Sequence, residues 1–480
     1  MDIESLSSAD LSFQWQSKWT VYLVLCFILW VPATLGAILN EKIRKIIFFI
    51  VILLIPLLAY GFFQVDVLAQ PWYRGVDRGF PVSIVDVLIF ALFVSKFFRP
   101  VQKQFSASKT FFFWTSWLTF VIAFVLLFFR FPWIFGLNSI CQKLKLILIF
   151  SVACHFLFDE KYRKLFLWAF ALQFYFLVAF GLYQRYGLGV NRVSSFFKWP
   201  TDFAGYSSVF GAGFLACVFW PDKKSHTFIQ TSYFGIAYIC SLVSTLLTIG
   251  RTGVVCLIVN FMLVIVFVNK KVFSLRGLFL FIGIMVIFCG FLYKASDTFF
   301  SRLAAEQKGS FVEGEFGDSM KEGGPEGRQY YWLVAKEMIH KYPFGVGLNN
   351  WSWYNTQEFE YVNNAHYEPY ESQFRAPNKL FEQAIFAHST YLLYLCELGY
   401  LGLVLYVFML LINVYYSFKV LLRSFFYRDK ILLPDTMLLF GFSMCIVNFF
   451  EPIFVAPQCL YMYTFLTALG AVSFYRRRKC

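Results

Sequence analysis

The residues best suited to chemistry in this chain of 480 residues are one histidine and two arginines. His388 and Ser389 stand at the start of an apolar run, and an imidazole can take or orient a hydroxyl proton near neutral pH. Arg251 and Arg328 carry guanidinium groups, which stay charged and bind phosphate oxygens in bidentate pairs. Together these residue types suit a site that handles a diphosphate leaving group and a hydroxyl group.

Each of these residues also has a structural explanation. An arginine at the end of an apolar run, such as Arg251, can extend its charge to the membrane surface. Arg328 opens a predicted amphipathic helix, where a basic residue opposes the helix dipole, so a solvated surface position is the alternative to an anion ligand. His366 lies in the same polar segment as His388 and competes with it. The two arginines as a pair are therefore more informative than either alone.

The elements that must position these residues are membrane helices. Hydrophobic residues make up 59% of the chain and charged residues 15%, and a soluble domain cannot bury so much apolar surface. A span needs roughly 20 mostly apolar residues. The sequence therefore predicts an all-α polytopic membrane protein with about 12–13 transmembrane helices. The predicted spans are 20–39, 45–63, 83–98, 110–129, 142–158, 164–185, 203–220, 230–250, 252–269, 276–293, 389–416, 434–450 and 457–475.

The formal net charge of +14 reflects topology. Basic residues cluster in every second loop, for example at Lys42 to Lys45 and at Arg476 to Lys479, and such clusters stay on the cytoplasmic side. This pattern puts the C-terminus inside and both Arg251 and the long loop outside. It predicts an N-terminal helix bundle over 1–293, a large outer loop over 294–388 and C-terminal helices over 389–480, and it gives no reason to expect a nucleic-acid partner.

The long loop has two characters. Residues 306–327 are rich in glycine and acidic residues and predict a mobile excursion. From Arg328 to Ile339 apolar residues recur at helical spacing, and Pro343 with Gly345 ends the pattern, which predicts an amphipathic helix on the bundle. A second short helix is predicted over 378–386. Two other outer segments, 64–82 and 186–202, are irregular and aromatic and could line an outward-facing cavity.

Three residues of the helix after His388 have predicted structural roles. Gly399 lies roughly 16 Å further along that helix. With Gly402 it forms a pair of small residues three apart, which would let a neighbouring helix approach closely. Glu397 lies within the membrane span, where an ionisable residue is a functional candidate, but we expect it to pair with a polar group on another helix.

The pattern His388-Ser389, nine residues, Gly399, two residues, Gly402 resembles the signature of bacterial O-antigen ligases. Residues 249–253, Ile-Gly-Arg-Thr-Gly, resemble that family's arginine-bearing turn. Arg328 with Trp332, and the Pro-Phe-Gly-Val-Gly of 343–347, resemble its large periplasmic loop, and residues 192–204 are also similar. The resemblance covers roughly residues 185–410, while the earlier helices match only in general character.

This resemblance implies an inverting, metal-independent transfer of a glycan from undecaprenyl diphosphate to a hydroxyl of lipid A-core. It needs no cofactor and takes place at the periplasmic face of a bacterial inner membrane, in contact with membrane lipids. Arg251 and Arg328 would hold the diphosphate and His388 would activate the acceptor, with Arg192, Ser389 and Trp332 as substrate-binding residues. The ligases usually have twelve spans, whereas about thirteen are predicted here. O-antigen polymerases and protein O-oligosaccharyltransferases share the donor, and the sequence does not name the acceptor.

Two other classes compete with this interpretation. A metal-dependent glycosyltransferase would use Asp66 and Asp77, but these alternate with Arg74 and Arg78, which favours salt-bridged loop structure. A flippase or transporter for the same lipid-linked glycan predicts two similar halves with matching broken helices, and the sequence offers no such pair.

Overall fold

We describe the fold from a computed structural model of the protein. The described residues are 17–58, 63–69, 76, 79–98, 105–130, 132–218, 228–248, 250–268, 328–359, 389–427, 440–450 and 453–478. His388, His366, Asp77, the predicted span 276–293, the glycine-rich segment 306–327 and the predicted helix 378–386 lie outside them.

The first half of the bundle consists of six helices, three of which begin directly after a polar capping residue. Asn40, Thr110 and Asp159 each accept a hydrogen bond from a backbone N–H of the helix that follows, which satisfies a donor otherwise left free at the helix start. The six helices are α1 (Ser17–Leu39), α2 (Glu41–Leu54), α3 (Ile84–Phe98), α4 (Phe111–Leu127), α5 (Trp133–Leu157) and α6 (Glu160–Leu182).

The second half holds shorter helices among the long ones. The predicted span 203–220 is not one straight helix, because a π-helical turn at Tyr206–Phe210 separates its two parts. The helices are α7 (Pro200–Gly205), α8 (Ala212–Val218), α9 (Phe228–Leu247), α10 (Arg251–Val268), α11 (Arg328–Lys341), α12 (Trp351–Gln357), α13 (Thr390–Tyr427), α14 (Phe440–Phe450) and α15 (Pro457–Arg478).

These helices confirm an all-α polytopic membrane protein. Within the described residues, five helices are long and apolar enough to cross a bilayer, and two shorter apolar helices accompany them. The most apolar stretch of α1 is only 17% buried, so this helix lies at the periphery, whereas the corresponding stretch of α5 is 56% buried. The total of 12–13 spans stays a prediction, because several predicted spans fall partly or wholly outside the described residues.

A small β-hairpin replaces part of the irregular segment expected at 64–82. Strand β1 (Gln64–Val67) pairs antiparallel with β2 (Phe80–Ser83), with Gln64 opposite Ser83. The hairpin leads into α3 through a capping box, in which the Asp86 N–H donates to Ser83 Oγ and the Ser83 N–H donates to Asp86 Oδ2, each at 3.0 Å. The hairpin therefore has a fixed position at the start of α3.

The prediction of one continuous helix from Ser389 onwards is wrong, because the helix is interrupted at Gly399. Its φ of 71° and ψ of −169° are not helical, so α13 consists of two helical parts that meet at a sharp break. A break of this kind frees backbone groups on both sides, and those groups need other partners. The partners come from residues 343–347, as described below.

The predicted amphipathic helix is confirmed as α11. Its apolar face buries Val334, Ala335 and Met338 in a cluster that also contains Phe135 and Trp351. This cluster is separate from the main core, which runs through the long helices. The helix ends at Lys341, just before Pro343, as the sequence predicts.

Candidate functional site

A polar cavity of about 420 Å³ opens at the end of the bundle where α5 and α15 begin. It is walled by the hairpin, the first turns of α5, residues 198–202, residues 348–349, the first part of α13 and the start of α15. The two segments predicted to line a cavity, 64–82 and 186–202, both contribute residues to it. Among the described lining residues, the charged ones are Asp66, Lys143, Lys198, Asp202 and Glu397.

The break in α13 fixes one wall of this cavity by a backbone crossing. The Val346 N–H donates to the Cys396 carbonyl at 2.9 Å, and the Gly347 N–H donates to the Glu397 carbonyl at 2.8 Å. In return the Tyr400 N–H donates to the Pro343 carbonyl at 3.3 Å. The groups that the break frees are thus satisfied by residues 343–347.

The glycines at this crossing have a different role from the predicted one. A Cβ on Gly399 would lie 2.4 Å from the Pro343 carbonyl oxygen, and one on Gly345 would lie 2.4 Å from the Glu397 carbonyl oxygen. A Cβ on Gly402 would lie 2.0 Å from Cβ of Leu398, within the same helix. The prediction that Gly399 and Gly402 let a neighbouring helix approach is therefore wrong. The space beside Gly402 is filled by Leu398 of the same helix, and the space beside Gly399 is filled by the backbone of residues 343–344.

Glu397 pairs with a polar group on another helix, as predicted. Its side chain is 4% exposed and lines the cavity, and Oε1 accepts a hydrogen bond from the Trp351 N–H at 3.3 Å. Trp351 is the first residue of α12, so the carboxylate receives a donor from the start of a loop helix. Glu397 thus connects the cavity to α12.

The start of α13 is held by α14. Ser389 is buried and its hydroxyl donates to the Asn448 carbonyl at 3.5 Å, while the Thr390 hydroxyl donates to Asn448 Oδ1 at 2.8 Å. Thr390 lines the cavity. In the chain His388 directly precedes Ser389, so the predicted catalytic histidine lies within two residues of the cavity wall.

Arg251 is the first residue of α10. The two glycines that flank it in the sequence, Gly250 and Gly253, pack on Ala204, with ideal Cβ positions 3.1 and 3.2 Å from the Ala204 Cβ. Ala204 belongs to α7, two residues after the cavity residue Asp202. The small residues around Arg251 thus bring its backbone next to the helix that forms one cavity wall.

Arg328 is the first residue of α11, which runs beside the first part of α13 in the same direction. The Cys396 thiol donates to the Ala335 carbonyl, and further along both helices Tyr400 contacts Pro343. Arg328 lies seven residues before Ala335, as Ser389 lies seven residues before Cys396. At 1.5 Å per residue, Arg328 and Ser389 therefore each lie roughly 10 Å from the Ala335–Cys396 contact, on the side of the start of α13, where Thr390 lines the cavity.

The remaining predicted binding residues lie on the surface. Arg192 is exposed in the loop after α6, and Trp332 is 47% exposed on α11. Neither lines the described part of the cavity. Their predicted contact with substrate stays a prediction.

The sequence interpretation missed the role of Lys143. It lies in α5, its ammonium group donates to the Tyr394 hydroxyl at 2.7 Å, and it lines the cavity. The signal was present, because a lysine beside an apolar run of membrane length is a functional candidate. Lys198 and Asp202 lie in the segment 186–202 that was predicted to line a cavity, but the sequence interpretation named neither as a site residue.

The carboxylates of the described residues do not form a metal-binding group, since no three His, Cys, Asp or Glu side chains within them come together. Asp66 accepts a hydrogen bond from the Gln64 amide at 3.0 Å. The Arg74 and Arg78 partners predicted for the aspartates of this segment lie outside the described residues.

Comparison with protein-family models matches residues 236–407 of this chain to the family described as O-antigen ligase. This range begins inside α9 and includes α10, α11, α12 and the break in α13. Among curated proteins the comparison gives no match.

Proposed function

We propose that the chain transfers a glycan from undecaprenyl diphosphate to a hydroxyl of lipid A-core. The match of residues 236–407 to the O-antigen ligase family, which indicates a ligase- or polymerase-type glycosyltransferase, supports this proposal. The observation that carries this proposal is the position of the family's signature. The helix that follows His388 begins in the wall of the polar cavity, and Arg328 begins a helix that packs against this same helix. Arg251 begins a helix whose start packs against α7, which forms another wall.

The reaction proposed is a single displacement. The acceptor oxygen forms a bond to the anomeric carbon of the donor sugar while the bond from that carbon to the phosphate oxygen breaks. Undecaprenyl diphosphate leaves with the electron pair, and the acceptor proton passes to His388. Attack from the face opposite the leaving group inverts the anomeric configuration.

The two arginines would stabilise the diphosphate as its charge increases. Guanidinium groups bind phosphate oxygens in pairs, and fixed charges aimed at a leaving group act most strongly in the transition state. We expect Arg251→Ala and Arg328→Ala each to lower kcat by on the order of 100-fold or more. Arg→Lys substitutions should restore only part of the rate, because an ammonium group lacks the bidentate fork.

The proposed location is a bacterial inner membrane with the cavity facing the periplasm. The apolar helices support a multi-pass membrane protein. The distribution of basic residues supports the orientation, since the cavity lies at the end of the bundle opposite the cluster Lys161 to Lys164.

The test is glycan transfer by the purified full-length protein from an undecaprenyl-diphosphate-linked donor to lipid A-core, with EDTA present. Wild type should form product and His388→Ala should not. The matched control is His340→Ala, because His340 lies on the exposed side of α11 and should leave transfer unchanged.

The outcomes separate the alternatives. Equal activity of wild type and His388→Ala would overturn the role given to the histidine, and loss of activity with EDTA would favour the metal-dependent class. If the folded wild type consumes donor but leaves lipid A-core unmodified, the acceptor is a growing glycan or a protein. Movement of donor across vesicles without any transfer would favour the flippase.

A further inference from the structure

We propose that the cavity wall formed by Asp66, Lys198, Trp199 and Asp202 is a carbohydrate-binding subsite that holds one pyranose ring against the Trp199 indole. This inference rests on the proposed function only for the source of the sugar, which is either the donor or the acceptor glycan. The binding itself is argued from the structure of the wall.

The loop that carries Lys198 and Trp199 is held rigidly by polar contacts. Ser195 has a positive φ of 51°, and the Gln184 side chain accepts from its N–H at 2.8 Å and donates to its carbonyl at 3.1 Å. The Ser195 hydroxyl donates to the Leu177 carbonyl at 3.0 Å. A strained residue held by three contacts in this way marks a segment whose conformation is fixed before any ligand arrives.

Aromatic packing fixes the same loop from the other side. Phe196 stacks on Phe180 with ring centroids 4.3 Å apart, and Phe197 stacks on Phe203 at 5.5 Å. Phe197 and Phe203 are buried. Lys198 and Trp199 therefore lie between Phe197 and Phe203, whose positions are fixed by packing, so this part of the subsite is preorganised.

Trp199 has the surface that a sugar ring needs. It is 45% exposed although it lines a cavity, and Pro200 begins α7 directly after it. Its indole carries a negative π face, which attracts the weakly positive C–H groups of a pyranose. Its side chain makes no capping hydrogen bond to α7, so its exposure does not serve the helix start.

The groups around Trp199 suit hydroxyls better than phosphates. Asp202 is 7% exposed in the first turn of α7, and Asp66 with the Gln64 amide faces the same cavity from the hairpin. Carboxylates accept hydrogen bonds from neighbouring hydroxyls. The described lining carries three carboxylates and two lysines, a formal charge of −1, so this part of the cavity fits a neutral or amino sugar, and the diphosphate of the donor would be held by Arg251 and Arg328 instead.

The volume is compatible with this ligand. About 420 Å³ lies within the range of roughly 300–1,000 Å³ that small-molecule sites occupy. Lys198 fits the same arrangement, because its ammonium group lies 5.8 Å from the Trp199 ring centroid and helps to hold the ring in place.

The test is saturation-transfer difference NMR on the purified full-length protein in detergent, with the methyl glycosides of glucose, galactose, mannose and N-acetylglucosamine as probes. At least one glycoside should show saturation transfer with wild type, and Trp199→Ala should raise its dissociation constant about tenfold or more. Asp202→Asn, which keeps the shape of the side chain, should also weaken binding. Trp133→Ala is the matched control, because Trp133 is 53% exposed and lies outside the cavity wall.

Two results would overturn the proposal: no glycoside binds a folded wild type, or Trp199→Ala and Trp133→Ala bind equally well. Competition of inorganic pyrophosphate with the glycoside would also count against it, since it would make this wall a diphosphate site.

Trp199→Phe keeps an aromatic face and should retain part of the binding even if the alanine variant folds poorly. In the transfer assay, Trp199→Ala should raise KM for only one of the two substrates, and whether that substrate is the donor or the acceptor glycan identifies the source of the sugar. Binding without any glycan transfer would reject the proposed function and leave the subsite standing.

Discussion

At the scale of single residues, the most constrained position is Gly399. Its left-handed φ and its contact with the Pro343 carbonyl both exclude a side chain. The sequence predicted that this glycine matters, because it forms with Gly402 a pair of small residues three apart and belongs to the pattern that begins at His388. It could not predict the reason, since the backbone that crosses Gly399 belongs to residues 343–347, more than 50 positions away in the chain.

We expect Gly399→Ala to destabilise the protein strongly, by about 3 kcal/mol or more, because it adds a steric clash to backbone strain. Gly189→Ala is the matched control. Gly189 also has a positive φ, of 69°, but nothing lies within 4 Å of its ideal Cβ, so only the strain of about 1 kcal/mol applies. Thermal unfolding in detergent measures the stability of both variants. An equal fall in Tm for Gly399→Ala and Gly189→Ala would show that the contact with residues 343–347 contributes nothing to stability.

Glu397 gives a second prediction at this scale. Glu397→Ala leaves the buried Trp351 N–H without this acceptor and should cost about 1–3 kcal/mol, whereas Glu397→Gln keeps an acceptor oxygen and should cost less. Thermal stability of the two variants tests this difference. If the glutamine variant is stable but loses glycan transfer, the carboxylate has a chemical role in the cavity beyond that of a helix cap.

At the scale of elements, Asp86 holds three segments together. It caps α3, pairs with Lys145 of α5 at 3.0 Å and accepts a hydrogen bond from the Tyr461 hydroxyl of α15. Lys145 also donates to the Pro81 carbonyl in β2. The hairpin wall of the cavity is therefore tied to two membrane helices through one carboxylate.

We expect Asp86→Asn to lower stability by about 2–4 kcal/mol, because both partners are only 17% exposed and Lys145 would keep its charge without a counter-ion. The double variant Asp86→Asn/Lys145→Met should recover part of this loss. Glu358→Gln is the matched control. It breaks the pair with Lys341, which is 56% exposed, so it should cost about 1 kcal/mol or less. Similar losses in both single variants would refute the argument from burial.

The Lys341 pair also shows how weakly an exposed contact depends on pH. The hydrogen bond from Lys341 to the Glu358 carboxylate raises the pKa of the lysine. A raised lysine pKa means that the pair contributes fully below the ordinary lysine value and is lost only as the pH rises through the raised one. Near neutral pH it is therefore constant, and this pair should add no pH dependence to thermal stability between pH 6 and pH 8.

The elements show where prediction from sequence succeeds. The helices α1, α3, α4 and α10 agree with their predicted spans within a few residues, because long apolar runs determine them directly. Prediction failed at the π-helical turn after α7, at the β-hairpin and at the break in α13. All three depend on contacts with distant segments, and all three lie at or beside the cavity.

At the scale of the whole molecule, the orientation is open to direct test. We expect alkaline phosphatase inserted within 306–327 to be active, because the positive-inside pattern puts that segment outside. A green fluorescent protein joined after Cys480 should fluoresce in the cytoplasm. An inactive phosphatase together with a dark C-terminal reporter would invert the topology and remove the proposed periplasmic cavity.

The break at Gly399 also has a consequence for biogenesis. The candidate span is Thr390–Tyr416, and the part of it after the break, residues 400–416, would extend only about 26 Å as a helix, less than the roughly 30 Å of a bilayer core. Residues 390–398 are therefore needed to complete the span, and they are held by the crossing with residues 343–347. We expect a chain in which this crossing has not formed to lack both one wall of its cavity and a full-length span, so that membrane integration and activity depend on the same contact.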